Sequence, residues 1–333
     1  MDAGAWRLRS MTRRSRRLKK IAVLRRLLPS IAFLLPILLL YHIYPESFEA
    51  TWKGRAFHLF FLWLSVLETV LGWDKLPPAT VRRRGIVAVT LPLLLPTLYV
   101  VLAHYGGVNA VITEFATQHA VYWAHWMALS VEYLVFAGLL SLILWLEYGR
   151  MGLRTLLIAP LFSGFIGGVY LIDNLYPFGR FTPLQLLVPA TTFLAAQALN
   201  VMGYQTRFLP LVEGMPTLVA GTVDREVSFQ IAWPCSGVES LFLYAMILLL
   251  FLKRTALPRT HKMIAFLLGA AVTYLINVLR VATLFVIAMN DGDWVSFHHL
   301  YGPLYSILWI TMYPLIITGS YFLRRHLQRT RHV

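Results

Sequence analysis

KMIAFLLGAAVTYLINVLRVATLFVIAM, running from Lys262 to Met289, is a long and nearly uncharged stretch. From Ala265 onward the only charged side chain in it is Arg280. About twenty consecutive apolar residues suffice to cross a hydrocarbon core of about 30 Å as a helix. This stretch is therefore read as a membrane span with one cation placed inside it.

On either side of it, similar runs occupy 27–44, 56–73, 85–105, 121–147, 153–176, 183–203, 234–252 and 303–323. Of the 333 residues 58% are hydrophobic and 14% charged, well under the roughly 25% charged of soluble domains. One signal peptide does not account for so many runs. The fold class expected is an all-α polytopic membrane protein.

The net charge of +15 would suggest a nucleic-acid partner if it covered one face, but it sits at the ends and in particular loops. Ten basic residues fall within 1–26 alone, which reads as a basic cytoplasmic tail and a topology marker. No nucleic acid is expected. Cys235 is the only cysteine, which excludes disulfide frameworks, CxxC redox pairs, iron–sulfur clusters and cysteine zinc sites. No HExxH, cysteine–histidine cluster or glycine-rich phosphate loop is present, so no metal or cofactor is expected and an ATP-driven pump is disfavoured.

Charge bookkeeping sets the number of crossings. Of the 30 basic residues, 24 lie in the N-terminal tail, around Lys75 and Arg82–Arg84, at Arg150 and Arg154, between Lys253 and Lys262, and in the C-terminal tail. If these face the cytoplasm, an odd number of crossings separates Arg150 from Cys235. The segment 183–203 carries Gln185, Thr191, Thr192, Gln197 and Asn200, and is read as a helix on the outer interface. That leaves about eight spans with both termini inside; the alternative is nine spans and a local violation of the charge rule. The chain is accordingly divided into the tail 1–26, a five-span bundle 27–176, and a region 183–333 with three spans.

Strand character is confined to the external segment 204–233. Val227, Phe229, Ile231 and Trp233 alternate with Ser228, Gln230 and Ala232, the pattern of a half-buried strand. With turn residues from Gly221 to Glu226, a short external β-hairpin is expected. It leads directly to Cys235.

Ser236 and Glu239 have the spacing of a capping box, which places Cys235 just outside a helix N-terminus, where the dipole favours a thiolate. Arg280, buried in a span, is read as functional. Cys235 lies 18 residues before Lys253, and Arg280 18 residues after Lys262. At 1.5 Å per residue both stand about 27 Å above the inner anchors. His298 and His299 lie in the following external loop, so a thiol, a guanidinium and an imidazole converge on one membrane face. Glu132 and His125, seven residues apart, are expected to satisfy each other on one helix face. Asp173-Asn174 gets a helix-end reading first.

These residues resemble a known family. Cys235-Ser236-Gly237 with Ser240, Asn277-Val278-Leu279-Arg280 before Val281, and His298 four positions ahead of Gly302 look like the three signature motifs of the exosortase/archaeosortase membrane proteins. The resemblance runs from about Pro183 to the last span, while the first half matches only as a generic membrane bundle. Glu239 departs from the basic residue of many bacterial members, and Val281 from the commoner Ile.

The resemblance implies a cysteine protease-transpeptidase of the plasma membrane, with its active site on the exoplasmic side. Its substrates would be exported proteins carrying a C-terminal sorting signal of short motif, transmembrane helix and basic tail, and its surroundings membrane lipids. Cys235 would be the nucleophile, Arg280 the stabiliser of thiolate or oxyanion, and His298 the proton shuttle. The spacing to Gly302 favours His298 over His299. Ser236, Gly237, Ser240 and Asn277 would support the centre, and the acceptor nucleophile is open. Two other classes compete: a transporter or channel with Arg280 and Glu132 lining a pathway and a passive Cys235, and a membrane acyltransferase using histidine without a thiol.

Overall fold

The computed structural model describes residues 26–50, 52–76, 87–176, 185–212, 214–253, 255 and 257–330. The tail up to Arg25, the Arg82–Arg84 triplet, Arg180, Pro183, Leu184 and Arg331 lie outside the described residues.

Helices α1 (Leu34–Ile43), α2 (Ala56–Leu71), α3 (Val87–His104), α4 (Val108–Gln118), α5 (Met127–Thr155), α6 (Ile158–Leu175) and α7 (Val188–Val201) precede a small sheet. Helices α8 (Val238–Leu252), α9 (Arg259–Met289) and α10 (Gly302–Thr330) follow it. Four segments are long and apolar enough to cross a membrane: Arg26–Ile43, Ala124–Thr155, α6 and α9. The bent pair Leu91–His104 and Val108–Gln118, at 60°, raises this to five if it counts as one span. Helix α2, helix α8 and the stretch Gly302–Ile317 are apolar but shorter. The 16 residues of α2 reach only about 24 Å, which is why a length criterion admits fewer spans than the eight that hydropathy suggests.

Two compact units are distinguished. The first holds the described residues of Met1–Glu49, Lys53–Ala120 and Ala124–Leu171. Phe33 anchors its core, meeting Phe61 and Phe136 edge-on at 5.1 and 5.3 Å. The Glu68 carboxylate accepts the Ile158 and Ala159 N–H groups at 3.0 and 3.2 Å, satisfying orphan donors at the start of α6. Glu132 does not pair with His125 as expected: Arg55 forks onto it with two hydrogen bonds of 2.9 Å, and His58 Nε2 adds a third at 2.8 Å. The carboxylate takes its partners from the start of α2 and the residue before it, while His125 sits in a short turn ahead of α5.

The second unit comprises Ala50–Trp52, Val121–Trp123 and Ile172–Val333. Its sheet has three antiparallel strands in the order β1 (Gln205–Val212), β2 (Met215–Gly221), β3 (Glu226–Gln230), not the two of a hairpin. The extra strand, β1, is almost wholly exposed and carries Pro210 next to a register shift, a position open to proline only on an edge. Because its apolar residues do not alternate, periodicity cannot find it. The β3 alternation also stops early: Trp233 enters a 3-10 turn, Trp233–Ser236, instead of extending the strand. Helices α8, α9 and α10 are tied by tyrosines. Tyr244 and Tyr313 donate to the Phe266 and Ala265 carbonyls, each at 2.7 Å.

Candidate active site

Hydrogen bonds from three other elements hold the turn that carries Cys235. Trp233 is buried, and its indole N–H donates to Asp173 Oδ1 at 2.7 Å. Asp173, on the last turn of α6, thus acts as the anchor of this turn. Ser236 Oγ donates back to the Trp233 carbonyl at 2.6 Å, and the Cys235 N–H to Ala232 at 3.0 Å. Thr191 of α7 donates to the Ser236 carbonyl at 3.0 Å and meets Tyr274 OH at 2.9 Å. Asn277 of α9 donates to the Cys235 carbonyl at 2.9 Å.

The capping box is not formed. Gly237, at φ 89°, is the N-cap of α8, and no side chain caps that helix. Ser236 lies inside the 3-10 turn with its hydroxyl committed to Trp233, so it cannot reach forward to the helix. A left-handed residue is needed to turn the chain from one helix type into the next, which favours glycine. A Cβ at Gly237 would also lie 2.9 Å from the Asn277 side chain.

Cys235, Arg280 and His298 line one cavity of about 190 Å³, together with Phe229, Gln230, Ile231, Val281, Leu284 and Trp294. Asn277 stands one helical turn before Arg280, so the same face of α9 that holds the Cys235 carbonyl also presents the guanidinium. His298 comes from a π-turn, Phe297–Tyr301, that joins a short helical turn to α10. Its carbonyl accepts from Arg280 Nη2 at 3.3 Å. Arg280 and the histidine-bearing turn are therefore in register. Gly302 allows this, because a Cβ there would stand 2.7 Å from Arg280 Nε and 2.9 Å from the Phe297 carbonyl. The side chain of His299 lies outside the described residues. Ser236, Gly237, Asn277 and Ser240 do not line the cavity; Ser240 sits in the first turn of α8.

Electrostatics at the sulfur oppose one another. Burial pushes the Cys235 thiol up from its ordinary value, the Arg280 guanidinium draws it down, and the Glu239 carboxylate adds to the rise. Desolvation is the largest of these. The helix-terminus effect expected to favour a thiolate is thus set against burial, and Arg280 is the group that draws the thiol back down.

Phe229 and Trp294 complete the apolar wall of the cavity. The Phe229 ring packs against Phe285 and Trp294, both at 5.0 Å, which brings β3 against the loop after α9. The same loop is fastened by Arg225, which forks onto Asp291 with one hydrogen bond at 2.6 Å and a second beside it. Asp293 caps the short turn by accepting the Ser296 N–H at 3.0 Å. Trp294 is one of ten tryptophans and no spacing marks it out; Phe229 is marked only by the strand alternation. Among the described residues, no group of three or more His, Cys, Asp or Glu is placed to hold a metal ion.

No curated protein and no solved structure matches the chain. The transmembrane exosortase family (Exosortase_EpsH) matches residues 52–316, which extends the likeness well before Pro183 and into the half that reads as a generic bundle. With that match covering most of its length, the chain belongs to the transmembrane exosortase family.

Proposed function

We propose that this protein is a membrane-embedded cysteine protease-transpeptidase that cleaves the C-terminal sorting signals of exported proteins. The observation that carries the reading is the shared cavity of Cys235, Arg280 and His298 in a chain of the exosortase family. Cys235 loses its proton to His298, and the thiolate attacks the scissile carbonyl carbon. Arg280 faces the oxyanion that forms, inside a site lined largely by apolar side chains, where a fixed charge is most effective. As the tetrahedral intermediate collapses, the C–N bond breaks, His298 returns the proton to the leaving amine, and a thioester remains on Cys235. An acceptor amine then attacks the thioester to give a new amide, or water attacks to give the free acid.

The topology that fits this role has eight spans. It counts α2, α8 and α10 as crossings beside the four long segments and the bent pair, with both termini in the cytoplasm. Helix α7 then lies at the exoplasmic interface of the plasma membrane, and the region 183–333 forms the catalytic part, following a five-span bundle in the sequence. The transport reading has less support, since its pathway carboxylate, Glu132, is buried and engaged by Arg55 and His58.

The test is a Cys235→Ala variant in cells that export a protein ending in an apolar helix and a basic tail. Full-length precursor should accumulate, with processing down by at least about a thousandfold. Continued processing overturns the reading. In the wild-type chain, Cys235 should react with a membrane-impermeant thiol reagent applied from outside.

A further inference from the structure

Two residues of β3, Phe229 and Gln230, and the next along the chain, Ile231, line the cavity. The sheet order β1-β2-β3 leaves β3 as an edge strand, paired on one side only. Thr222 N–H donates to the Arg225 carbonyl at 2.8 Å and Ile231 N–H to the Pro216 carbonyl at 2.9 Å, with Phe229 opposite Leu218 between them. In an antiparallel ladder such pairs alternate. Val227 and Phe229 therefore direct their N–H and C=O groups to β2, and Ser228 and Gln230 direct theirs away from it.

Side chains along a strand point to opposite faces in turn, so a cavity lying on one face meets every second residue. This cavity meets Phe229, Gln230 and Ile231 in succession, as it does when it borders the edge. The Gln230 side chain is turned toward β1, where it donates to the Val212 carbonyl at 3.3 Å.

We infer that the free edge of β3 is the docking strand for substrate: the extended segment leading to the scissile bond pairs with it main chain to main chain. The inference rests on the function proposed above and adds to it how the peptide is held. Strand addition supplies affinity through backbone hydrogen bonds that do not depend on sequence, while neighbouring pockets select side chains. The edge suits this role because it ends at Gln230, five residues before Cys235, so a peptide aligned on it is carried to the sulfur. The apolar wall of Phe229, Val281, Leu284 and Trp294 removes water from those bonds, which makes an unpaired N–H there costly.

The probe is a precursor from the host that ends in an apolar helix and basic tail. It is first required to be processed by the wild-type chain and spared by Cys235→Ala. Proline is then placed singly at about eight positions before the helix. Proline removes one N–H, so processing should fall about tenfold at alternate positions and much less between them. On the enzyme, Gln230→Pro removes an outward N–H and no bond to β2; it should lower processing similarly while Cys235 keeps its reactivity to thiol reagent. A precursor that the wild-type chain leaves intact overturns the proposed function and this inference with it. A precursor that is processed but shows no two-residue period overturns the docking strand alone, whether or not Gln230→Pro folds.

Discussion

Two arginines among the described residues, Arg55 buried and Arg280 half-buried, meet opposite fates. In the first unit Arg55 is spent on structure: both arms of its guanidinium engage Glu132, its face lies 4.1 Å from the centre of the Tyr44 ring, and His58 completes the carboxylate's partners. In the second unit Arg280 forms no ion pair among the described residues; its hydrogen bond goes to the His298 carbonyl, and its charge acts on Cys235 and Glu239. A cation matched by a carboxylate has little charge left for a reaction. One held by a neutral carbonyl keeps it.

Breaking the first cluster should give the largest effect on folding. Glu132→Ala leaves Arg55 and His58 buried without their anion, at a cost of about 3–5 kcal/mol. Thermal unfolding in detergent should register the loss, while processing per folded molecule stays near wild type. Equal damage to both measurements would erase the distinction between the two arginines.

The opposite pattern is expected for Arg280→Gln, where the loss falls on catalysis, by about 10²–10³-fold. Its second signature is in the sulfur. With the stabilising cation gone, thiolate formation becomes harder, so alkylation of Cys235 should move to higher pH; an unmoved profile separates Arg280 from the thiol. A milder version is Gly302→Ala, whose methyl must displace Arg280 or the Phe297 carbonyl. Processing should fall about tenfold with the fold intact by thermal unfolding.

Glu239→Gln should give the smallest effect and the opposite sign. Removing a negative charge that makes ionisation of Cys235 harder should shift alkylation to lower pH. A shift upward would mean that Glu239 acts through packing and not through charge.

Legibility in the sequence followed the range of the interaction. The long apolar helices were readable because crossing hydrocarbon demands a long local run of apolar residues, and the equal 18-residue offsets of Cys235 and Arg280 from their lysine anchors agree with the one cavity they line. The strand β3 was visible from its alternation. By contrast, β1 was not, since both its faces are exposed, and the start of α8 was misread because Ser236 had a nearer carbonyl, that of Trp233, to bond. The partner of Glu132 was missed for a different reason: Arg55 lies 77 residues away, and no local pattern reports such a pairing.

What the amino-acid order determined by itself was the class of molecule, a helical membrane protein with one thiol and one intramembrane arginine set for the same level. Composition, run length and anchor spacing are properties of a single chain in a layered solvent, and they need no tertiary contact to be read. Tertiary structure alone decided which arginine is neutralised and which keeps its charge, why residues 237 and 302 are glycines, and that Phe229, Gln230 and Ile231 share a cavity with the sulfur. Each of these depends on groups from different elements meeting at distances of about 3 Å, where a single Cβ or a single carboxylate changes the outcome.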